Sequence, residues 1–206
     1  SYLFREGIIR RDPSELLTAP KIEQKAPVIL SVNEVNALLD QPGTSSAKAI
    51  RDKAMMELLY ATGIRVSEVR YVTVEAVYRG RAEISLKGKI RTILLPGKLC
   101  RKLLKYARKQ KIASGEIFLT RNEKGISRRQ IWAEMKRLCG HAGVDPRKVF
   151  PHNLRHLFAK TFYRVCRDVA RLADVLGHSS IETTRIYLIS TGTEHAGTLA
   201  RLGLIC

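Results

Sequence analysis

Two stretches carry most of the information on the fold and on a possible site: PHNLRHLFA at residues 151–159 and LGHSSIETTRIYL at residues 176–188. Proline is favoured in the first turn of a helix, so Pro151 predicts that a helix begins there. On that helix His152 and Arg155 would share a face, because residues three apart are neighbours on a helix surface. The first turn also offers free amides and the positive end of the helix dipole. A phosphate bound there would meet a guanidinium, an imidazole and backbone amides together.

The second stretch adds a histidine and a tyrosine. Gly177 is placed to end a helix, His178 follows it directly, and Tyr187 lies near the end of the stretch. Taken alone, H-x-x-R is better explained by helix capping and a surface ion pair. The functional interpretation therefore depends on what else the chain contains.

Two further stretches hold candidate residues. ATGIRVSEV at residues 61–69 places Arg65 just past a predicted helix end, with Glu68 three residues on. LKGKIRT places Lys87 in a predicted hairpin turn, where a long ammonium side chain can reach a neighbouring groove. Alone, the first pattern is explained equally well by a salt bridge at a turn and the second by a solvated lysine.

The charge balance favours nucleic acid as the partner. The chain has 206 residues, enough for one large domain or two small ones, with 37 lysines and arginines against 19 acidic residues. The resulting net charge of +18 predicts a surface that binds a polyanion.

Cysteine spacing and hydropathy exclude other classes. Cys100, Cys139, Cys166 and Cys206 have no CxxC spacing, which disfavours a zinc site or a disulfide framework and fits reduced thiols in a cytosolic protein. No apolar run approaches the roughly 20 residues of a membrane-spanning helix, so we expect no membrane contact.

The remaining patterns predict a fold that is mainly α with a small antiparallel β-sheet (α+β). Ser31 and Glu34 form a capping box ahead of a helix, and Gly63 is placed to end the next one. Residues 72–95 are rich in Val, Ile, Tyr and Thr, with turn signals at Gly80 and Gly88, and predict about three strands. Further helices are predicted at about 98–111, 127–142, 151–164, 167–176, 180–189 and 194–202, with EIFLT at 116–120 as a lone strand.

The domain organisation follows from composition. Residues 1–19 begin as if in the middle of a helix and predict the remnant of a preceding domain. Residues 20–30 contain two prolines and mixed charges without helical periodicity, which is typical of a linker. Residues 31–206 form the predicted main domain with a C-terminal tail, and the tail from Ser190 is a candidate for contacting either a second protomer or its own domain.

Taken together and in this order, these motifs resemble the tyrosine recombinase (phage-type integrase) family. The resemblance implies a tyrosine recombinase catalytic-domain fold preceded by a core-binding domain, the end of which residues 1–19 resemble. It assigns catalytic roles to Arg65, Lys87, His152, Arg155, His178 and Tyr187, the last as nucleophile. Lys89 is a second candidate for the hairpin lysine, although Lys87 matches the usual position before a glycine.

The chemistry of these residue types agrees with that resemblance. Two arginines can bind the non-bridging oxygens of a phosphodiester and offset the charge that grows in the transition state. Tyr187 would form a 3′-phosphotyrosyl link, and Lys87 would protonate the leaving 5′-oxygen. His178 would donate to a phosphate oxygen, His152 would assist proton transfer from the tyrosine, and Glu68 would orient Arg65 or a histidine. No metal or other cofactor is expected, because no Asp/Glu cluster is placed to hold Mg²⁺.

The expected function is therefore that of a site-specific DNA recombinase or integrase. The resemblance further implies double-stranded DNA as partner, a homotetramer on paired DNA sites, and a cytoplasmic, nucleoid-associated location in a bacterium. Two alternatives remain open at this level. A type IB topoisomerase uses a similar set of residues to relax supercoils, and a non-catalytic DNA-binding protein would need only the basic surface.

Overall fold

The computed structural model describes residues 2–13, 30–41, 46–86 and 89–188, which form a mainly helical fold with one β-hairpin. The helices are α1 (Tyr2–Arg5), α2 (Val32–Asp40), α3 (Ala47–Thr62), α4 (Val74–Arg79), α5 (Gly97–Lys109), α6 (Arg128–Ala142), α7 (Pro151–Cys166), α8 (Val169–Leu176) and α9 (Ile181–Arg185). Strands β1 (Arg81–Leu86) and β2 (Lys89–Leu94) pair antiparallel, and 3₁₀-helices cover Val66–Tyr71 and Ile186–Leu188. The predicted helix at 194–202 and nearly all of the predicted linker lie outside the described residues.

Several helix ends lie where their capping residues predict them. The backbone N–H of Ser31 donates to Glu34 Oε2 at 2.7 Å, and the Ser31 hydroxyl accepts from the Glu34 amide at 3.2 Å. This is the reciprocal capping box expected ahead of α2. Gly63 ends α3 in the left-handed conformation, and Pro151 is the first residue of α7. The predicted starts of α2 and α7 and the predicted end of α3 are thus confirmed.

The prediction of about three strands in residues 72–95 is wrong by one element. Residues Val74–Arg79 form the short helix α4 instead of a strand. The Thr73 hydroxyl accepts from the Ala76 amide at its start, and Gly80 adopts φ 69° at its end. These two caps outweigh the β-preference of Val and Tyr within a single turn. EIFLT, predicted as a lone strand, contributes only isolated bridges, which pair Thr73 with Glu116 and Leu119 with Gly125.

Two apolar clusters stabilise the described part of the chain. The larger cluster contains residues from each of the helices α2 through α6, from the hairpin and from the first half of α7. A smaller cluster consists of Ala159, Leu172, Leu176 and Tyr187, with Phe158, Phe162, Tyr163 and Leu188 packed against it. Tyr187 is therefore held between α7 and α8, both of which contribute residues to the candidate site. No described helix combines the length and apolar character that crossing a membrane would require.

The end of α3 lies very close to α7 at Gly63. A Cβ atom at this position would lie 2.3 Å from a ring carbon of Phe158, and the backbone φ of +60° is one that favours glycine. Because α3 ends here against α7, the carbonyl oxygen of Gly63 is placed to accept a hydrogen bond from Arg155.

Gly63→Ala is expected to destabilise the fold by about 1–3 kcal/mol, since it combines a left-handed backbone with overpacking against Phe158. Gly80→Ala is the matched control, because Gly80 has φ +69° but no atom within 4 Å of its would-be Cβ. Urea denaturation of both variants would separate the contact from the backbone effect. An equal loss of unfolding free energy in the two variants would show that Phe158 moves aside without destabilising the fold.

Candidate active site

Three arginines bind the C-terminal end of α8. The backbone carbonyl of Val175 accepts from Arg91 Nη2 at 2.9 Å. The next carbonyl, of Leu176, accepts from Arg155 Nη2 at 2.7 Å, and that of Gly177 accepts from Arg65 Nη2 at 3.3 Å. Carbonyls at a helix end lack intrahelical partners and carry the negative end of the helix dipole, so cations are stabilised there. The end of α8 thus gathers three guanidinium groups next to His178.

A buried carboxylate fixes two of these arginines. Glu68, only 2% exposed, accepts from the Arg65 amide at 2.7 Å and from Arg65 Nη1 at 3.0 Å. The same carboxylate accepts from Arg91 Nη1 at 2.5 Å. Glu68 therefore orients Arg65, one of the two roles that the sequence suggested for it. Desolvation lowers the pKa of Arg91, and the charge of Glu68 opposes that shift.

Arg155 is buried without a carboxylate partner among the described residues. It is 2% exposed, and its Nη1 donates to the carbonyl of Gly63 while its Nη2 lies 2.9 Å from His178 Nε2. Burial lowers its pKa, and its hydrogen bond with the Tyr187 side chain opposes that shift. A guanidinium stays protonated in proteins, so its charge has no neutralising anion within residues 2–13, 30–41, 46–86 and 89–188.

Tyr187 lies among three histidine rings. Its ring centroid is 4.3 Å from that of His156, 5.5 Å from that of His178 and 5.6 Å from that of His152. The His178 ring is nearly parallel to the phenol, with an interplanar angle of 13°. The residue is 5% exposed. The predicted nucleophile is thus packed within the cluster formed by its own chain.

The histidines around Tyr187 are held in their neutral form. Burial lowers the pKa of His178 to about 4, and the positive charges of Arg155, Arg65 and Arg91 act in the same direction. The pKa of His152 is also lowered by burial and by Arg155 and Arg65, although the residue is more exposed than the other two histidines. A histidine that is neutral at pH 7 can accept a proton, which an imidazolium does not.

A cleft of about 590 Å³ opens beside these side chains. Arg65, His152 and Arg155 line one part of it, while α6 contributes the exposed indole of Trp132 and the ammonium of Lys136. Among its lining residues the charged groups are all basic. The cleft therefore has the size and the charge to admit a phosphate group with part of its nucleotide.

The sequence and the fold are both similar to those of known proteins. The sequence profile of the phage integrase family matches residues 29–193. The chain belongs to this family. It is 34% identical to tyrosine recombinase XerD of Vibrio vulnificus (strain YJ016) over 195 residues, which cover 90% of the chain. It is 35% identical to tyrosine recombinase XerC of Roseiflexus castenholzii over 199 residues, which cover 91% of the chain. These matches span 64% and 63% of the two relatives, so the chain covers slightly less than two thirds of their length.

Solved structures of a recombinase and an integrase have the same fold. A crystal structure of XerA recombinase aligns with 92% of the chain and 68% of its own length, with a TM-score of 0.73 and 23% identity. The Tn1549 transposon integrase, in complex with transposon right end DNA, aligns with 98% of the chain and 76% of its own length, with a TM-score of 0.76 and 17% identity. The predicted fold class and the predicted family are thereby confirmed.

Five of the six residues that the sequence singled out can be placed in the structure. Arg65, His152, Arg155, His178 and Tyr187 lie together around the end of α8 and the start of α7. Lys87 follows the last residue of β1 and lies outside the described residues, so its role and the choice between it and Lys89 remain predictions.

Sequence patterns missed His156, which packs against Tyr187 more closely than either of the other two histidines. It lies one helical turn after His152, and burial lowers its pKa to about 4. The i, i+4 spacing from His152 was a signal that both rings would face the same way. Its role here is to cover one side of the phenol ring.

Arg91 was also missed, since nothing in its local sequence marks it. Its partners Glu68 and Val175 lie 23 and 84 residues away along the chain. It also explains why a glycine follows α8, because a Cβ on Gly177 would lie 2.2 Å from Arg91 Nε. Arg91 ties β2 to the turn that carries His178, and thereby ties the hairpin of this phage integrase family member to its candidate site.

Arg91→Ala is expected to lower the free energy of unfolding by about 2–4 kcal/mol, because it breaks a buried pair and leaves Glu68 and a carbonyl short of donors. Arg81→Ala, on the neighbouring strand, is the control. The Arg81 side chain is 58% exposed and pairs with a 48% exposed Glu83, so its loss should cost less than about 1 kcal/mol. Similar urea midpoints for both variants would mean that the Arg91 contacts contribute little.

Proposed function

We propose that this chain is the catalytic part of a site-specific DNA recombinase that cuts and rejoins double-stranded DNA through a 3′-phosphotyrosyl link to Tyr187. One observation carries the proposal. Tyr187 stacks on His178, whose Nε2 lies 2.9 Å from Arg155, a buried guanidinium without a carboxylate partner in the described part of the chain, and Arg65 donates to the nearby carbonyl of Gly177. These groups are the ones that attack of a tyrosine on a phosphodiester would use, namely a nucleophile and fixed cations for the phosphate oxygens.

The two arginines would bind the scissile phosphate. Each guanidinium can direct paired N–H groups at the non-bridging oxygens, where negative charge grows as the tyrosine attacks. Glu68 holds Arg65 in place, and two backbone carbonyls hold Arg155, so little reorganisation is needed when the phosphate enters. These fixed cations supply the charge that a metal ion supplies in other phosphoryl-transfer sites.

The covalent step would transfer the phosphorus from one oxygen to another. The Tyr187 oxygen attacks phosphorus, its proton passes to a base, and the bond to the 5′-oxygen breaks. His152 is suited to accept the proton, because its ring is 5.6 Å from the phenol and its lowered pKa keeps it neutral at pH 7. The leaving 5′-oxygen would take a proton from Lys87. Because the phosphotyrosyl bond retains the energy of the phosphodiester, a 5′-hydroxyl can reverse the reaction without ATP.

The relatives support recombination as the outcome of this chemistry. Both named relatives are tyrosine recombinases, and one family structure is a lambda integrase tetramer bound to a Holliday junction. We accordingly infer that four copies of this chain's parent protein act on paired DNA sites, in a bacterial cytoplasm where the nucleoid lies. Tyr187 packs within its own chain's cluster, so each protomer would cleave with its own tyrosine.

The experiment that tests this proposal also finds the target site. The protein is incubated with nicked duplexes that carry a randomised central segment and nicks at successive positions. Cleavage near a nick releases a short fragment and prevents rejoining, so covalent adducts accumulate on a denaturing gel. Sequencing of the trapped DNA gives the site, and mass spectrometry of the peptide gives the attachment residue. We expect the attachment at Tyr187.

Other outcomes would point to the two alternatives. DNA binding without adduct at any sequence would indicate a non-catalytic DNA-binding protein. Adducts combined with relaxation of supercoiled plasmids, but without strand exchange between two copies of the selected site, would indicate a type IB topoisomerase. Recombinant products from paired sites would support the proposal.

A further inference from the structure

The hydrogen bonds of His178 define where its proton lies. Nε2 is 2.9 Å from Arg155 Nη2, and Nδ1 is 2.8 Å from the hydroxyl oxygen of Thr184. A guanidinium only donates, so Nε2 must accept with its lone pair. The single proton of the neutral ring is therefore on Nδ1, which donates to Thr184.

This arrangement is the opposite of what the proposed reaction needs. Arg155 lines the cleft proposed for the phosphate and lies against Nε2 of His178, while Nδ1 lies against the fully buried Thr184. To donate to a phosphate oxygen, Nε2 must carry a proton. That happens in the imidazolium, which an adjacent anion favours, or in the other neutral tautomer, in which a proton leaves Nδ1 and another from water arrives at Nε2.

Thr184 is the partner that suits all of these states. Its hydroxyl accepts from Nδ1–H in the free protein and in the imidazolium, and it can donate to the Nδ1 lone pair in the other tautomer. Thr184 is fully buried, so solvent water does not replace it. A carboxylate could only accept and an ammonium could only donate, so neither would fit every state of the ring.

Resting on the proposed function, we propose that Thr184 is a positioning residue that holds the His178 ring in one orientation through the change of protonation at its two nitrogens. Thr184 lies on α9, which leads directly into the 3₁₀-turn that carries Tyr187. The same hydroxyl thereby fixes the distance between the nucleophile's segment and the end of α8. The role belongs to the hydroxyl and acts through His178.

The test compares three variants. Thr184→Val keeps the shape and removes the hydroxyl, Thr184→Ser restores it, and Thr183→Val is the matched control at an exposed neighbouring position. With the substrate selected above and saturating protein, we expect Thr184→Val to slow adduct formation by about 10- to 100-fold, as loss of a partner that orients a functional histidine commonly does. Thr184→Ser should recover most of the rate, Thr183→Val should match wild type, and duplex Kd should be unchanged throughout.

A second background separates positioning from packing. In His178→Ala, Thr184→Val should cause no further loss of rate. An equal loss with and without His178, or a Thr184→Val rate equal to that of Thr183→Val, would overturn the proposal.

A third measurement does not depend on cleavage. In protein labelled with ¹⁵N-histidine, with the His178 signals assigned by their absence in His178→Ala, the free protein should show a protonated Nδ1 and an unprotonated Nε2. Thr184→Val should lose that preference while Thr184→Ser keeps it. A protonated Nε2 in the free wild-type protein would overturn the proposal. If no DNA yields an adduct, the proposed recombinase function fails, and this measurement still decides the role of Thr184.

Discussion

Tyr187→Phe is expected to abolish the covalent protein–DNA adduct while DNA binding persists. The change removes one oxygen and leaves the ring that packs against His152, His156 and His178. Removal of a nucleophile typically costs on the order of 10⁴-fold or more in rate, so adduct should fall to background. The measurement is a single-turnover time course on the selected nicked duplex, with duplex Kd determined in parallel.

The fold should tolerate this substitution. Phe fills the same space in the small cluster between α7 and α8, and the loss of one hydroxyl should cost only about 0.5–1.5 kcal/mol. Tyr163→Phe is the matched control, because Tyr163 packs against the same cluster and is not among the groups around Arg155. If the Tyr187→Phe protein still formed adduct at the wild-type rate, another tyrosine would have to be the nucleophile.

Local signals were enough to predict most elements of this fold. The capping box of Ser31 with Glu34, the glycine after α3 and the proline that opens α7 all act within one helical turn. Because such signals depend only on nearby residues, a single sequence contains them in full. The error at Val74–Arg79 arose where two local signals conflict, since strand-forming residues lie between the caps of a one-turn helix.

The candidate site was predictable only in part, for a related reason. His152 and Arg155 line one cleft, as their spacing on one helix predicts. The contacts that orient the site connect distant parts of the chain, such as Arg155 with Gly63 across 92 residues and Arg91 with Val175 across 84. Sequence spacing carries no information about such pairs. The motif resemblance supplied residue identities, while the structure shows that three arginines are organised by the end of a single helix.

Arg155→Lys is expected to lower the rate of adduct formation by about 10²–10³-fold, the usual cost of losing a donor that stabilises charge in the transition state. Lysine keeps the positive charge but lacks the planar fork. In the free protein that fork donates to the carbonyls of Gly63 and Leu176 and reaches His178 Nε2 at the same time. An ammonium group on a flexible stem does not reproduce this geometry, so the phosphate would be held loosely and His178 would lose its partner.

The same substitution should also affect stability, and the two effects must be measured separately. Leaving a buried carbonyl without a donor costs about 1–3 kcal/mol, so the urea midpoint of Arg155→Lys should fall. Rates of adduct formation are therefore compared without urea and at saturating protein. Under these conditions a folded but slow enzyme can be distinguished from a partly unfolded one. Arg147→Lys, whose side chain is 91% exposed, should change neither quantity. Wild-type cleavage by a folded Arg155→Lys protein would reduce Arg155 to a structural link between α3, α7 and α8, and the transition-state charge would then have to be stabilised by Arg65 and the hairpin lysine.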